Sequence, residues 1–199
     1  MVLLSQDEAR FPMVPTLAAT LGVKGHRPTV GTRDCKDLLY VFAVVNLVSA
    51  AVHANTLESP KDAKKKTGKS KTRRMQEAFA SHLRHVARVY PAGQHRRVAL
   101  VTDNAPWHRG RPIDAAMAEN PHLEFKRLPS YSPQLNPVER FWKKLRRRAT
   151  HNRLFDTLAD LKRSIRNSLR YFQTVRSRIR SLIANCYPTP INQTPTTGP

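Results

Sequence analysis

The order of periodic segments along the chain predicts an α/β fold, in which a sheet is flanked by helices. Apolar segments rich in β-branched and aromatic residues come first, and helical and strand-like segments then alternate. The 199 residues contain no long linker. A chain of this length is typical of one domain with a sizeable core, so we expect a single domain over residues 1–186.

Apolar runs define the strands of the predicted sheet. The run over residues 37–49 is almost entirely apolar, which is typical of a strand covered on both faces. Residues 2–11 alternate loosely between apolar and polar side chains and contain no glycine or proline. We expect strands over residues 2–11, 27–30, 37–49, 51–58, 97–102 and 123–128.

Apolar residues recur at every third or fourth position in several later segments, which predicts amphipathic helices. The basic run over residues 61–74 is too charged to be buried and predicts a solvated loop. The last residues, 187–199, are rich in proline and threonine and are expected to be disordered. We expect helices over residues 72–90, 113–119 and 155–183, the last forming a C-terminal helical part over residues 156–184.

The chain is strongly basic. Lysine and arginine number 35 against 14 acidic residues, so the formal net charge is +21. Such an excess favours a phosphate-rich partner, with nucleic acid as the first candidate. A ribosomal or chromatin-like binder would have the same excess. The charge therefore indicates the class of partner but does not distinguish an enzyme from a binding protein.

Neither membrane insertion nor a zinc motif is indicated. No apolar run reaches the roughly 18 residues needed to span a bilayer, and the first residues lack the order of a signal peptide, so we expect a cytosolic protein. Cys35 and Cys186 are far apart, which indicates neither a disulfide framework nor a zinc ribbon. We expect His82 and His85 to be surface histidines rather than zinc ligands.

A very basic helix is predicted to begin with an acidic residue in its first turn. Asn136 suits the N-cap, Pro137 suits the first helical position, and Glu139 follows three residues after the cap. Lysines and arginines over residues 143–148 mostly lie opposite an apolar stripe. Taken alone, Glu139 is explained by a capping box, in which its carboxylate binds the Asn136 amide.

Two more acidic residues lie in places where catalytic groups occur. Asp103 follows a predicted buried strand, where parallel sheets commonly place reactive groups, but an Asx turn explains Asp103 and Asn104 equally simply. Asp7 lies in the first predicted strand, and a solvated strand end is its plain alternative. His108 suits either phosphate binding or a cap of its loop, and the sequence favours neither.

Three segments carry these acids in recognisable motifs. They read QDEARF around Asp7, DNAPWH from Asp103, and LPSYSPQLNPVERFW around Glu139, which lies 36 positions after Asp103. These motifs resemble those of the DDE transposases of bacterial insertion sequences, in the branch related to the mariner transposons. The last motif is the most specific of the three. The resemblance covers roughly residues 1–170.

The resemblance implies a ribonuclease H-like fold, a mixed sheet flanked by helices, in which Asp7, Asp103 and Glu139 converge. Three carboxylates this close repel one another, so cations must neutralise them. Mg²⁺, with Mn²⁺ as a substitute, suits these oxygen ligands and a phosphate substrate. The implied reaction is metal-dependent cleavage of DNA at a transposon end, after which the freed 3′-hydroxyl attacks target DNA.

The remaining expectations concern DNA, the partner that the resemblance implies, as transposon ends and as target. Such a protein is expected to dimerise on DNA and to act at the nucleoid in the bacterial cytoplasm. Relatives usually carry a helix-turn-helix domain before the first motif, and that domain is expected to be missing here. A non-catalytic DNA-binding remnant or regulator of a transposable element fits the composition equally well. Candidate contacts to the DNA backbone are His108, Lys143, Lys144, Arg147, Lys65 and Lys66.

Overall fold

A computed structural model describes residues 1–26, 28–129 and 136–184 of the chain. Its centre is one five-stranded sheet. The fully buried β2 confirms the strand predicted to be covered on both faces. The strands are β1 (Val2–Pro12), β2 (Leu38–Asn46), β3 (Val52–Ser59), β4 (Val98–Thr102) and β5 (Leu123–Arg127).

The sheet is mixed, with the strand order β3-β2-β1-β4-β5. The pairs β1 with β2 and β2 with β3 are antiparallel, whereas β1 with β4 and β4 with β5 are parallel. The parallel half requires crossover connections, and helices supply them. This arrangement confirms the predicted α/β class with a mixed sheet flanked by helices.

Six α-helices and one short 3₁₀ turn, Pro106–His108, surround the sheet in the described part of the chain. Side-chain N-caps begin two of the longest, because Ser70 accepts the Arg73 amide and Thr157 accepts the Asp160 amide. The helices are α1 (Ala63–Thr67), α2 (Lys71–Val89), α3 (Arg111–Ala118), α4 (Val138–Ala149), α5 (Leu158–Thr174) and α6 (Arg176–Ala184).

The helices cover the two faces of the sheet separately. Helices α2 and α3 form one core with residues such as Phe42 and Leu4 of the sheet. Helices α4, α5 and α6 form the other core, in which Trp142 packs edge-on against Phe11 of β1. Because side chains alternate along a strand, Asp7 and Glu8 of β1 point to opposite faces, Asp7 toward α4 and Glu8 toward α2.

Three predicted elements differ from the structure. Residues 28–30 form no strand, because Pro28 cannot donate a ladder hydrogen bond; Arg27 lies outside the described residues. The predicted basic loop over residues 61–74 contains α1 and the first turn of α2. The long C-terminal helix is two helices, since Val175 leaves the helical conformation with φ −95° and ψ 64°.

Two further predictions concern the surface and the chain end. His82 is fully buried rather than on the surface, and its Nδ1 lies 2.7 Å from Asn55 Oδ1, while His85 is half-buried. The predicted disordered tail, residues 187–199, lies outside the described residues. None of the helices within the described ranges combines the length and apolar character needed to cross a lipid bilayer.

Candidate active site

The register between β1 and β4 brings the first two acidic motifs together. In this parallel pair Ser5 lies opposite Val101. Asp7 and Asp103 each lie two residues beyond this pair, so the register brings both acids to the same end of the sheet. Asp7 is only 8% exposed, whereas the Asp103 side chain is 51% exposed. The pair therefore spans the boundary between the core and the solvent.

The side chain of Asn136 attaches the start of α4 to β1. Ser5 Oγ donates a 2.7 Å hydrogen bond to Asn136 Oδ1, and this oxygen also accepts the Val138 amide at 3.2 Å. Helix α4 thus begins one residue later than predicted, and Asn136 still caps its first amide. This attachment lays the first turn of α4, which carries Glu139, beside the strand that carries Asp7.

Asp7 is a buried carboxylate with little compensation. Its Oδ2 accepts a 2.9 Å hydrogen bond from Trp142 Nε1. Burial, followed by the negative charges of Glu8 and Glu139, nevertheless raises the pKa of Asp7 to about 7. The plain alternative of a solvated strand end is wrong for this residue. A cation placed beside Asp7 would relieve the repulsion.

Glu139 lies at the surface in the first turn of α4. Between these described residues no hydrogen bond joins the Glu139 carboxylate to the Asn136 amide, so the capping box that would explain Glu139 taken alone does not form. The Glu139 charge acts on Asp7 instead, as one of the causes of the raised Asp7 pKa. Two of the three predicted acids are therefore electrostatically coupled.

Asp103 is held by its own loop and by His108. Its Oδ1 accepts the Ala105 amide at 3.0 Å, so the Asx turn that we considered is present. The same oxygen lies 3.0 Å from Nδ1 of His108. The hydrogen bond from His108, with smaller contributions from the Ala105 amide and the Arg127 charge, keeps the pKa of Asp103 below its usual range.

His108 lies inside the protein, with 1% of its surface exposed. Burial alone would lower its pKa, but hydrogen bonds to Asp103 and Glu8, together with their charges, raise it to about 9. The ring is therefore an imidazolium near neutral pH, with Nε2 3.1 Å from Glu8 Oε2. This buried position fits the cap of the loop, and His108 is not placed to contact a DNA phosphate.

The described residues form no ready-made metal site. Among residues 1–26, 28–129 and 136–184, no group of three His, Cys, Asp or Glu side chains lies close enough to hold a metal ion. The donor chemistry nevertheless fits a divalent cation. Asp7, Asp103 and Glu139 offer hard oxygen ligands, and the raised pKa of Asp7 marks a negative charge that the protein itself leaves uncompensated.

The other predicted DNA-binding residues are at the surface. Lys143 and Arg147 lie four and eight residues after Glu139, so they continue along the same side of α4. Lys144 and Arg147 also line a groove of about 480 Å³ between α4 and the last two helices. Lys65 and Lys66 are exposed on α1, where Lys66 pairs with Asp62 at 3.0 Å.

The site contains residues that the sequence did not assign to it. No role is predicted for Glu8 from the sequence, yet its side chain is only 8% exposed and binds both Trp107 and His108. Trp142 was expected only as part of a buried stripe, and it also binds Asp7. A signal was present: each later acid is followed within four residues by one of the two tryptophans.

Comparisons with known proteins identify the family. The sequence model of the DDE superfamily endonuclease family matches residues 2–162. The chain is 25% identical over 162 residues to an uncharacterised 39 kDa protein of insertion element IS630 from Shigella sonnei, covering 81% of this chain and 43% of that protein. A second relative, the uncharacterised protein y4pE/y4sA of Sinorhizobium fredii, is 35% identical over 85 residues, 43% of this chain and 58% of that protein.

Solved structures share the fold. A pre-cleavage Mos1 transpososome superposes with a TM-score of 0.58 at 18% identity, covering 94% of this chain and 56% of that one. The catalytic domain of Mos1 mariner transposase gives 0.53 at 17% identity, covering 94% and 84%. Both likenesses support the ribonuclease H-like fold. The family match over most of the chain settles the assignment: this protein belongs to the DDE superfamily endonucleases.

Proposed function

We propose that this chain is the catalytic domain of an insertion-sequence transposase, which cleaves DNA at a transposon end and joins the freed 3′-hydroxyl to target DNA. The observation that carries the proposal is the position of Asp7. The Asp7 carboxylate is buried at the end of the sheet where Asp103 lies, and the Glu139 charge acts on it, in a chain whose formal net charge is +21. A protein that only binds phosphates has no use for such a site.

Asp7, Asp103 and Glu139 are the residues that would hold Mg²⁺, or Mn²⁺ in its place. Divalent ions bound there would neutralise phosphate charge and activate the attacking oxygen. Structures of the Mos1 paired-end complex, which share the fold of this chain, have been determined with Mn and with Mg. The chain spans 43% of its IS630 relative and 58% of its Sinorhizobium relative, so the reaction of a longer protein is part of the proposal.

The protein's own contribution is to hold these carboxylates in place. Trp142 donates a hydrogen bond to Oδ2 of Asp7. Asn136 keeps the first turn of α4 against β1, which limits the movement that Glu139 must make. The His108 imidazolium holds the Asp103 carboxylate through a hydrogen bond, which also lowers the pKa of Asp103. Carboxylates that are held in place in this way reduce the entropic cost of orienting the phosphate group that reacts.

The DNA backbone would follow the basic side of α4. Lys143 and Arg147 extend from Glu139 along one side of the helix, and Lys144 lies next to them. Lys65 and Lys66 of α1 provide a second exposed basic surface. These side chains would contact phosphates rather than bases, so their contribution would fall with added salt.

DNA is accordingly the proposed partner, both as transposon ends and as target. We infer a dimer on DNA, because the Mos1 structures that share this fold include paired-end complexes. A relative encoded by a bacterial insertion element supports action at the nucleoid in the bacterial cytoplasm.

A plasmid nicking assay tests the proposal. The chain should convert supercoiled plasmid to open circles with Mg²⁺ or Mn²⁺, and EDTA should stop the conversion. Asp103→Asn should abolish it, whereas Asp114→Asn, which changes an exposed acid on α3, should not. Undiminished nicking by Asp103→Asn would refute the assigned site.

A non-catalytic DNA-binding remnant or regulator is the second candidate. It is favoured by one observation: the described residues assemble no three-ligand metal site. Such a protein would bind DNA with an affinity that does not depend on Mg²⁺. Binding titrations with and without Mg²⁺, run beside the nicking assay, separate the two candidates.

A further inference from the structure

Glu8 occupies a position equivalent to that of Asp7 on the opposite face of the sheet. Both tryptophans of the chain donate their indole N–H groups to these two consecutive acids: Trp142 to Asp7 at 2.9 Å, and Trp107 to Glu8 at 2.6 Å. Trp142 belongs to the helix that carries Glu139, and Trp107 to the segment that follows Asp103. Strand β1 therefore anchors both later motifs.

The Glu8 carboxylate is fully occupied by the segment that follows Asp103. Its Oε1 accepts from Trp107 Nε1, and its Oε2 lies 3.1 Å from His108 Nε2. The other ring nitrogen of His108 lies 3.0 Å from Asp103 Oδ1. One imidazole thus connects Glu8, which is buried, to Asp103, which reaches the solvent.

The His108 ring cannot easily turn away from this path. It packs 4.4 Å from the Phe79 ring, measured between centroids, and its Nδ1 lies 3.2 Å from Thr102 Oγ1. Thr102 in turn donates to Gln6 Oε1 at 2.7 Å. A buried polar network of this kind holds its members in one arrangement, because losing any bond leaves a buried group unpaired.

We propose that Glu8 is a positioning residue, which acts through His108 and Trp107 to hold the Asp103 carboxylate where it can bind a divalent cation. The inference rests on the proposed function, since it assigns Asp103 to the metal. Glu8 itself points to the other face of the sheet and does not reach the metal-binding side. Partners that orient a metal ligand typically change metal affinity by about 10- to 100-fold when removed.

A purely structural role for Glu8 makes a different prediction. A buried ion pair that only stabilises the fold would lower the unfolding temperature when broken and leave metal affinity unchanged in the folded protein. A positioning role requires that affinity falls in protein that is still folded. The two roles are therefore separated by a binding measurement on the folded chain.

The experiment compares Glu8→Gln with the whole wild-type chain, using Mn²⁺ as the metal probe. Mn²⁺ binding, followed by electron paramagnetic resonance, should weaken about 10- to 100-fold in Glu8→Gln. The matched control is Glu124→Gln, which removes a half-buried carboxylate of β5 that pairs with Arg97 and Lys126. The control should bind Mn²⁺ as tightly as the wild type.

The two indole groups give a second readout that needs no metal. In protein with ¹⁵N-labelled tryptophan, Glu8→Gln should shift the Trp107 indole signal and reduce its protection from hydrogen exchange. The Trp142 signal should stay in place in this variant, and Glu124→Gln should move neither signal. Adding Mg²⁺ to the wild type should then shift the Trp142 signal, because its acceptor is Asp7.

A double variant tests whether Glu8 acts through the imidazole. If it does, His108→Asn should weaken Mn²⁺ binding by a similar factor, and Glu8→Gln with His108→Asn should be little worse than either alone. Additive losses would overturn the proposal. If Glu8→Gln does not fold, Trp107→Phe removes one of the two Glu8 bonds at a half-buried side chain and should cause a smaller loss in the same direction.

Failure of this inference is distinguishable from failure of the proposed function. If Asp103→Asn weakens Mn²⁺ binding but folded Glu8→Gln does not, only the role of Glu8 is refuted. If Asp103→Asn itself binds Mn²⁺ as tightly as the wild type, both the proposed metal site and the proposed role of Glu8 are refuted.

Discussion

Asp7 and Glu8 are neighbours in β1, but the protein compensates the negative charge on one face of the sheet and not on the other. On the α2 face, Glu8 is paired with the His108 imidazolium, so the protein supplies the cation. On the α4 face, Asp7 accepts an indole N–H and is repelled by the negative charges of Glu8 and Glu139, so the protein supplies no cation. The difference indicates which face has to take a cation from solution.

The largest expected effect comes from neutralising Asp7. Asp7→Asn keeps an acceptor for Trp142 but should slow plasmid nicking by at least about 100-fold, the upper end of the effects of outer-shell partners. In EDTA the same change should stabilise the protein by about 1 to 3 kcal/mol, because a buried, repelled charge is removed. Nicking rates and thermal unfolding in EDTA measure the two effects. If Asp7→Asn were less stable than the wild type in EDTA, the Asp7 charge would already be compensated by the protein.

The second effect is the stabilisation that bound metal provides. At a Mg²⁺ concentration of about 100 times its dissociation constant, the folded state should gain about 2.7 kcal/mol, and EDTA should remove that gain. Thermal unfolding with and without Mg²⁺ measures it. Glu124→Gln should gain as much as the wild type, whereas Asp7→Asn should gain little. An equal gain in Asp7→Asn would place the metal elsewhere.

The two tryptophans that donate hydrogen bonds to Asp7 and Glu8 should differ in their contribution to stability. Trp142 is 1% exposed and packs against Phe141 and Phe11, so Trp142→Phe leaves a cavity as well as an unpaired acceptor and should cost about 2 kcal/mol. Trp107 is half-buried, and Trp107→Phe should cost about 1 kcal/mol. Urea unfolding compares the variants. A larger loss for Trp107→Phe than for Trp142→Phe would mean that the tryptophan contact on the α2 face contributes more to stability.

The smallest effect is the acid sensitivity of the α2 face. Burial lowers the pKa of His82 to about 3. Below pH 6.5, His82 therefore binds a proton in the unfolded chain but stays neutral in the folded chain, which favours unfolding. From pH 7 to pH 5.5 this should cost about 1 kcal/mol of unfolding free energy. Protonation of Asp7 acts in the opposite direction and equally in both proteins, so the stability of His82→Gln should rise by about 1 kcal/mol relative to that of the wild type over that interval in urea unfolding. An unchanged difference between the two proteins would show that His82 does not carry the effect.

Much of the fold and of the site follows from local pattern. The β-branched run of β2, the helical spacing of α2 and the Asn136 cap are each recognisable within about twenty residues, which is why these elements were predicted within a few residues. The three acids could be named because each sits in a short motif. The failures arose where tertiary packing overrode the local pattern, as in the helix that breaks at Val175 so that Ile179 and Ile183 reach the core.

The α/β class, the basic character and the three acidic motifs are recognisable in the sequence, because periodicity, charge and short motifs are properties of neighbouring residues. The burial of Glu8 against Trp107 and His108, and the hydrogen bond from Trp142 to Asp7, are visible only in the folded chain. The partners in these contacts are 99, 100 and 135 residues apart. Such pairings depend on strand register and on the face to which each side chain points, and no local pattern contains either.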